Sequence, residues 1–269
     1  MKMLRVLTLF SFGIFISVNA FSAPVGNAEI TELRKIDVGV EYNHLFNKDV
    51  MPERERAYDS MNIDSSSQVS ALISTGLFKS ERFAVDASIR LGAANLSTDS
   101  TDRTFFKKET LEYGMGFLWG ARGRVAYKNP EGIQFSLHGQ YNQFDSDLDE
   151  ITYDGEKGYN ISGPGTKARV QEFQAAILMS VPVEPAGYKV KLVPYVGPTF
   201  NWMQVETGTL NYETDSFTSG TNTSIDSGRD DFGVAIGLTI LTLREALALN
   251  IEARFINEQA LTLSIHYKF

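Results

Sequence analysis

The C-terminal stretch Leu261-Thr-Leu-Ser-Ile-His-Tyr-Lys-Phe269 decides the fold. Apolar residues occupy every second position and polar residues lie between them, which is the pattern of a β-strand with two unlike faces. An exposed apolar edge strand promotes aggregation in a soluble protein. In a closed barrel the last strand pairs with the first, so that no edge remains. The stretch therefore favours a closed β-barrel.

The same alternation recurs in nine earlier segments, and in each of them one face is apolar while the other is rich in small and polar residues. The apolar stripes suit tilted membrane-spanning strands of ~9–11 residues better than the ~5–6 residues of a soluble sandwich strand. We predict an all-β fold, a closed antiparallel up-and-down transmembrane β-barrel of about ten strands, with eight and twelve left open. The predicted strands cover residues 35–46, 68–79, 83–92, 111–127, 133–141, 172–181, 191–202, 232–240, 247–255 and 261–269.

The links between these strands alternate in length. Short links alternate with long polar links, except that the last link, at 256–258, is also short. Such alternation is typical of outer-membrane barrels with short turns on the periplasmic side. We expect the long links to be extracellular loops that could contact a ligand. They cover residues 47–67, 95–110, 145–166 and 206–230.

The N-terminus has the composition of a secretory signal. Lys2 and Arg5 precede an uncharged apolar run at 6–18, which is shorter than the ~20 residues of a spanning helix. Val18-Asn19-Ala20 offers small residues at the −3 and −1 positions, so we expect cleavage between Ala20 and Phe21. The predicted organisation is a signal peptide at 1–20, a short periplasmic segment at 21–34 and a barrel at 35–269.

Composition excludes several classes of function. The chain has 33 acidic and 25 basic residues, a balance that speaks against nucleic-acid binding because that requires clustered Lys and Arg. There is no cysteine, so neither a disulfide framework nor a thiolate metal site can form.

Two motifs resemble bacterial outer-membrane β-barrels. The terminal strand, with apolar residues at alternate positions before a final Phe, resembles the C-terminal signature of that class; its residues here are Leu263, Ile265, Tyr267 and Phe269. Pro194-Tyr195-Val196-Gly197 resembles a stretch of small OmpA-like and opacity-like barrels, from which Pro198 departs. The resemblance implies the outer membrane of a Gram-negative-type bacterium, surrounding lipid and lipopolysaccharide, and recognition by the barrel-assembly machinery.

The inward strand faces carry charges of both signs. Because unpaired charges inside a narrow barrel are costly, we expect these side chains to pair and fill the lumen. The alternative is a small pore whose selectivity they set. The predicted lumen charge network is Glu41, Asp86, Arg90, Glu112, Arg122, Glu172, Glu252 and Arg254.

Two serine–histidine pairs raise the question of nucleophilic catalysis. Ser136 and His138, like Ser264 and His266, share a strand face but lie ~6.6–6.8 Å apart along it, so we expect a direct hydrogen bond to be strained. The sequence assigns no orienting acid, and lumen hydrogen bonding is the favoured interpretation. The acidic segment that begins at Asp145 has Glu150 where a calcium loop needs Gly, so we expect a solvated loop, no metal site and no cofactor.

We therefore expect an integral outer-membrane barrel with a structural or surface-interaction role and no enzymatic activity. The first alternative is a narrow porin for small solutes. The second is an outer-membrane lipid hydrolase.

Overall fold

The computed structural model describes Leu33 and residues 35–50, 58–102, 107–215, 218–226, 231–242, 246–256 and 258–269. The predicted signal peptide, its cleavage site and the segment 21–34 apart from Leu33 lie outside the described residues. Within the described ranges no helix is long and apolar enough to cross a membrane.

The described chain is almost entirely strand, with a single 3-10 turn at Pro164–Thr166. The strands are β1 (Ile36–Val50), β2 (Tyr58–Lys79), β3 (Phe83–Asp102), β4 (Lys108–Lys128), β5 (Gln134–Tyr153), β6 (Glu156–Lys157), β7 (Tyr159–Ser162), β8 (Lys167–Ser180), β9 (Lys191–Glu213), β10 (Thr218–Asp226), β11 (Asp231–Thr242), β12 (Leu247–Ile256) and β13 (Glu258–Lys268).

Ten of these strands close into an antiparallel barrel. Its order is β1, β2, β3, β4, β5, β8, β9, β11, β12 and β13, and β13 pairs with β1. Tyr42 lies opposite Leu263 and Val38 opposite Tyr267, while the Phe269 N–H donates to the Ile36 carbonyl at 2.9 Å. The short strands β6, β7 and β10 pair at the ends of β5 and β9, outside the ring. The predicted ten-strand closed barrel is confirmed.

The outward side chains of the ten strands form a continuous apolar surface, which we call the apolar belt. Each of its members is between 39% and 57% exposed, as expected for side chains that have no protein neighbour above them. The belt consists of Val38, Val40, Val69, Ile73, Ile89, Leu91, Trp119, Val125, Leu137, Phe173, Ile177, Val196, Phe200, Ile236, Ile251, Leu263 and Ile265.

One end of the barrel has short turns. The turn between β4 and β5 closes with a hydrogen bond from the Gly132 N–H to the Asn129 carbonyl at 3.1 Å. Gly132 has φ +89°, a conformation that glycine adopts without a steric cost. The segment 181–190 between β8 and β9 is also compact, with Val183 bridging to Leu192.

The other end differs from the sequence prediction. The long polar links at 47–67, 95–110, 145–166 and 206–230 were expected to be loops, but most of their described residues are strand. β2 is 22 residues long and β9 is 23, well beyond the apolar belt. We call this part the outer extension; it comprises residues 62–67, 95–102, 108–114, 145–153, 167–171 and 203–213 together with β6, β7 and β10.

The polarity of the strands reverses in the outer extension. Its outward side chains are polar or charged, as at Asp64, Lys108 and Arg169, whereas most of its inward side chains are apolar; Thr98 and Glu109 are among the buried polar exceptions. Its inward apolar residues pack with Leu45, Ala94, Leu118 and Phe144, which border it, into one buried cluster that we call the outer core. It consists of Leu45, Ile63, Ala94, Leu96, Leu111, Tyr113, Leu118, Phe144, Ile151, Tyr153, Ala168, Val170, Met203, Val205, Leu210 and Tyr212.

An irregularity in β4 reverses, for the residues before it, which side chains point into the barrel and which point out. The register with β5 shifts between Tyr113 and Phe117, so that Tyr113 is 3% exposed and points inward while Phe117 is 64% exposed. A Cβ on Gly116 would lie 1.7 Å from the Asp145 carbonyl oxygen, so only glycine fits this close approach. As a result Glu112 faces outward and is exposed. The prediction that Glu112 projects into the lumen is wrong.

Candidate functional site

The centre of the lumen is a charged layer built around Glu41. The Glu41 carboxylate lies 2.8 Å from Arg90 Nη2 and 3.2 Å from Arg122 Nη2, and all three side chains are buried. Arg90 also donates to Ser70 Oγ from Nε at 3.3 Å and from Nη2 at 3.0 Å, and to Asn142 Oδ1 from Nη1 at 3.1 Å. One carboxylate on β1 is thereby tied to guanidinium groups on β3 and β4.

A second ion pair lies on the neighbouring part of the wall. Arg124 Nε is 2.9 Å and 3.1 Å from the two Asp86 carboxylate oxygens, and its Nη2 contacts Oδ2. A fork of this kind is the strong form of an arginine–carboxylate contact. Sequence reasoning missed Arg124, although it lies two residues after Arg122 and therefore shares its face.

The remaining predicted charges extend the layer. Glu172 accepts hydrogen bonds from Asn142 Nδ2 and Asn201 Nδ2, both at 3.1 Å. Glu252 Oε1 lies 3.4 Å from Arg254 Nε, and both of these side chains are fully buried. The lumen therefore contains Glu41, Asp86, Arg90, Arg122, Glu172, Glu252 and Arg254 of the predicted network, and not Glu112.

A second apolar patch lies on the short-turn side of the charged layer. We call it the inner cluster; it consists of Ala176, Leu178, Val193, Tyr195, Ala235, Leu241 and Ala248. Tyr195 forms the boundary, because its hydroxyl lies 2.8 Å from Glu252 Oε2 and 3.1 Å from Asn250 Oδ1. Its ring covers Gly237, where a Cβ would lie 2.1 Å from Tyr195 Cζ.

The outer core closes the opposite end of the lumen. Tyr113 Oη lies 3.4 Å from the Gly165 carbonyl, and Tyr212 donates to Glu109 Oε1 at 2.9 Å. Burial raises the pKa of the Tyr113 phenol, which favours its neutral form. The bore thus passes from apolar to charged to apolar, with large buried side chains in each layer.

Both serine–histidine pairs are hydrogen-bonded. Ser136 Oγ lies 2.8 Å from His138 Nε2, and Ser264 Oγ lies 3.1 Å from His266 Nε2. The expectation of a strained contact is wrong, because the imidazole leans along its strand and makes up the axial separation.

The second pair also has an acid, which the sequence could not assign. His266 Nδ1 lies 3.2 Å from Asp37 Oδ1 on the neighbouring strand β1. A Cβ on Gly39 would lie 2.5 Å from His266 Nδ1, so the glycine leaves room for the ring. Ser264, His266 and Asp37 are only 7%, 4% and 3% exposed.

The acidic segment near Asp145 is strand rather than a solvated loop. Asp145 pairs with Arg169 at 2.7 Å, Asp147 pairs with Lys167 at 3.4 Å, and Glu150 pairs with Lys157. Among the residues that the structure describes, no group of three or more His, Asp or Glu side chains is arranged to hold a metal ion.

The C-terminal residues of the predicted assembly signal lie on the outside of the barrel. Leu263, Ile265, Tyr267 and Phe269 are 43%, 46%, 46% and 70% exposed. The Tyr267 and Phe269 rings meet edge to face with centroids 4.9 Å apart. The four side chains are therefore accessible from outside the barrel.

Comparison with protein-family models gives no match, and comparison with curated protein sequences gives none either. Solved structures that match this chain include the translocator domain of the autotransporter NalP from Neisseria meningitidis, with 10% identity, a TM-score of 0.45, and coverage of 100% of this chain and 95% of that one. The transport unit of the autotransporter AIDA-I from Escherichia coli has 12% identity and a TM-score of 0.43, with 92% of each chain covered. An outer membrane channel from Pseudomonas putida F1 has 12% identity and a TM-score of 0.42, covering 92% of this chain and 100% of that one. Likenesses this distant assign neither a family nor an activity.

Proposed function

We propose that this chain is an integral outer-membrane β-barrel with a closed lumen, and that its role is structural and surface-presenting. The observation that carries the proposal is the reversal of polarity along the strands. In the belt the apolar side chains face outward and the charges face inward; in the outer extension most charges face outward and most inward side chains are apolar, with Glu109 as a buried exception. The outward face of such a wall is suited to contact hydrocarbon at the level of the belt and water at the level of the outer extension.

The asymmetry of the two ends supports an orientation. Short turns such as 129–132 are typical of the periplasmic end of outer-membrane barrels, and long structures are typical of the extracellular end. In this orientation the outer extension projects into the medium, where its charged outward face meets lipopolysaccharide or an extracellular ligand. Lys167 and Arg169 are exposed, pair with Asp147 and Asp145, and lie just beyond Phe173 of the belt, so we expect them to meet lipopolysaccharide.

A pair of cysteine variants tests the orientation, since the chain has no cysteine of its own. Glu112→Cys lies on the outer extension, and Glu131→Cys lies on the turn at the other end; both positions are exposed. We expect an impermeant maleimide to label Glu112→Cys on intact cells and to label Glu131→Cys only after the outer membrane is permeabilised. Labelling of Glu131→Cys on intact cells would contradict the orientation, and protein in the soluble fraction would contradict the proposal as a whole.

The lumen supports a structural role over a porin. The charged layer pairs its charges across the bore, and the outer core and inner cluster lie on either side of it. Planar-bilayer recording separates the two functions: a structural barrel gives no stable steps, whereas a narrow porin gives steps with defined ion selectivity.

One contact favours a second candidate, a lipid hydrolase. Ser264, His266 and Asp37 have the order nucleophile, base and orienting acid, at 3.1 Å and 3.2 Å. A fluorophosphonate probe that labels the wild type and not Ser264→Ala, with esterase activity lost in parallel, would establish this activity. The near-complete burial of all three side chains favours the structural role.

A further inference from the structure

Two prolines lie on the same side of β9, which is an interior strand of the barrel. The N–H and C=O of a residue in an antiparallel strand point to the same neighbouring strand, and the direction alternates along the chain. The Val181 N–H donates to the Pro194 carbonyl at 3.2 Å, so residue 194 faces β8. The backbone of Pro198 also faces β8, because it lies an even number of residues after Pro194 in a regular strand. The β9–β11 register shows no shift from Lys191 to Asn201 that would change this direction.

Proline has no N–H, so β9 cannot return a ladder hydrogen bond to β8 at either position. The pairing of β8 with β9 runs from Ala168 to Ala176, stops, and resumes at Met179. The interruption lies at Ile177 and Leu178, opposite Pro198 and Gly197. The β5–β8 and β9–β11 pairings on either side run past the same depth without a gap.

The interruption lies within the apolar belt. Ile177 is 57% exposed and occupies the middle of the outward stripe from Phe173 to Val181. Its carbonyl points at β9, because a Cβ on Gly197 would lie 1.9 Å from the Ile177 oxygen. At this level the pairing of β8 with β9, which we call the β8–β9 seam, thus lacks a ladder hydrogen bond that two strands in hydrocarbon would otherwise make.

The inner cluster lies directly behind the seam. Leu178 on β8 points inward at the interruption, and Tyr195 and Val193 point inward two and four residues along β9 from Gly197. Each of the three is no more than 2% exposed. Ser70 and Arg90, on β2 and β3, make the inward face polar on another part of the wall. At the seam, apolar side chains of the belt and of the inner cluster are separated by only the strand backbones.

We propose that the β8–β9 seam opens laterally and admits one acyl chain of a membrane phospholipid into the inner cluster. The inference rests on the proposed function, because it requires the belt to lie in lipid. The gap beside Ala176 is lined by Arg122, His138 and Gln140, and it has no room for a water molecule while the seam is closed. These polar groups end the apolar path, so the occupant is a single hydrocarbon chain rather than a whole lipid.

Photo-crosslinking of the full-length protein tests the proposal. The barrel is reconstituted in phosphatidylethanolamine and phosphatidylglycerol vesicles that contain phosphatidylcholine with a diazirine on one acyl chain, and labelled residues are mapped by mass spectrometry. We expect label on Leu178 and Val193 of the lumen as well as on Ile177 and Val196 of the belt. Pro198→Ala restores the missing N–H, and we expect it to lower the lumen label about fivefold, the equilibrium effect of one net hydrogen bond.

A disulfide across the seam gives a reversible control. Ala176 and Thr199 are paired and both point inward, so Ala176→Cys with Thr199→Cys should lock β8 to β9 when oxidised. We expect the lumen label to disappear on oxidation and to return on reduction, with the belt label unchanged throughout. Ser74→Cys with Ser88→Cys makes the matched lock between β2 and β3 and should leave both labels intact.

The outcomes separate the inference from the proposed function. Belt label without lumen label in the wild type would overturn lateral opening and leave the membrane barrel standing. Lumen label that persists in the oxidised Ala176–Thr199 variant would also overturn it, because the chain would then enter elsewhere. The absence of label on the belt would overturn the proposed function itself.

Discussion

The carboxylate of Glu41 lies 3.2 Å from Arg122 Nη2, although 81 residues separate the two in the chain. The contact spans the lumen from β1 to β4, and the same carboxylate also meets Arg90. Side-chain ion pairs inside the lumen thus hold the wall together, in addition to the backbone hydrogen bonds between its strands. The consequences of removing this carboxylate are correspondingly large.

Replacing Glu41 with Gln should destabilise the barrel by about 3–5 kcal/mol, because Arg90 and Arg122 would keep their buried charges without their shared counter-charge. Urea unfolding followed by heat-modifiable migration measures the change. Glu112→Gln is the matched control, since the sequence places both glutamates in one network and the structure places Glu112 on the exposed outer face. Equal effects would mean that Glu112 contributes to the lumen after all.

The lumen should stay closed unless two layers are removed. Arg122→Ala alone leaves the outer core intact, and Tyr113→Ala with Tyr212→Ala leaves the charged layer intact, so we expect no stable conductance from either. The triple variant should conduct, because the remaining inner cluster lines only the part of the wall formed by β8, β9, β11 and β12. Planar-bilayer recording checks this. The samples used are those that still show heat-modifiable migration and are therefore folded. Large steps from the wild type would establish the porin instead.

An arginine on the outward face should be costly only at the level of the belt. Ile89→Arg should destabilise the protein in membranes by about 2–4 kcal/mol if the position is near the bilayer midplane. Ser97→Arg, on the same strand and also outward but in the outer extension, should have little effect. Comparable losses in denaturant titrations of the two variants in vesicles would argue that the outer extension is also in lipid.

Deletion of Phe269 should lower the amount of assembled barrel far more than the amount synthesised, because the resemblance to the terminal signature implies recognition during assembly. Tyr188→Ser removes another exposed aromatic side chain, on a turn away from the C-terminus, and should assemble normally. Immunoblots of heated and unheated envelope samples give both quantities. Unchanged assembly of the deletion would show that Phe269 carries no such signal.

Much of the barrel could be predicted from alternation alone. Val38, Ile89, Ile236 and Ile265 face outward as the pattern indicates, because a strand side chain has only two directions and the belt requires apolar contact. The central pairs of the lumen followed from the same rule, since Glu41 and Arg90 occupy the opposite phase.

The outer extension could not be predicted in this way. Leu111 and Tyr113 alternate with polar residues just as the belt residues do, and the sequence does not say whether the surrounding medium is lipid or water. The β4 irregularity then reverses which residues of β4 face inward, so the alternation assigned Glu112 to the wrong face. The contact between Asp37 and His266 was missed for a different reason: the partners are 229 residues apart, and it depends on a register that one sequence does not contain.

In the proposed orientation, the outer core gives membrane insertion a direction. Its strands would cross the membrane before their inward side chains could pack, and once packed they would form a folded body on the far side. Withdrawal would require that body to unfold and the charged side chains of its outer face to pass back through hydrocarbon. We therefore expect folding of the outer extension to make insertion of this barrel a one-way step.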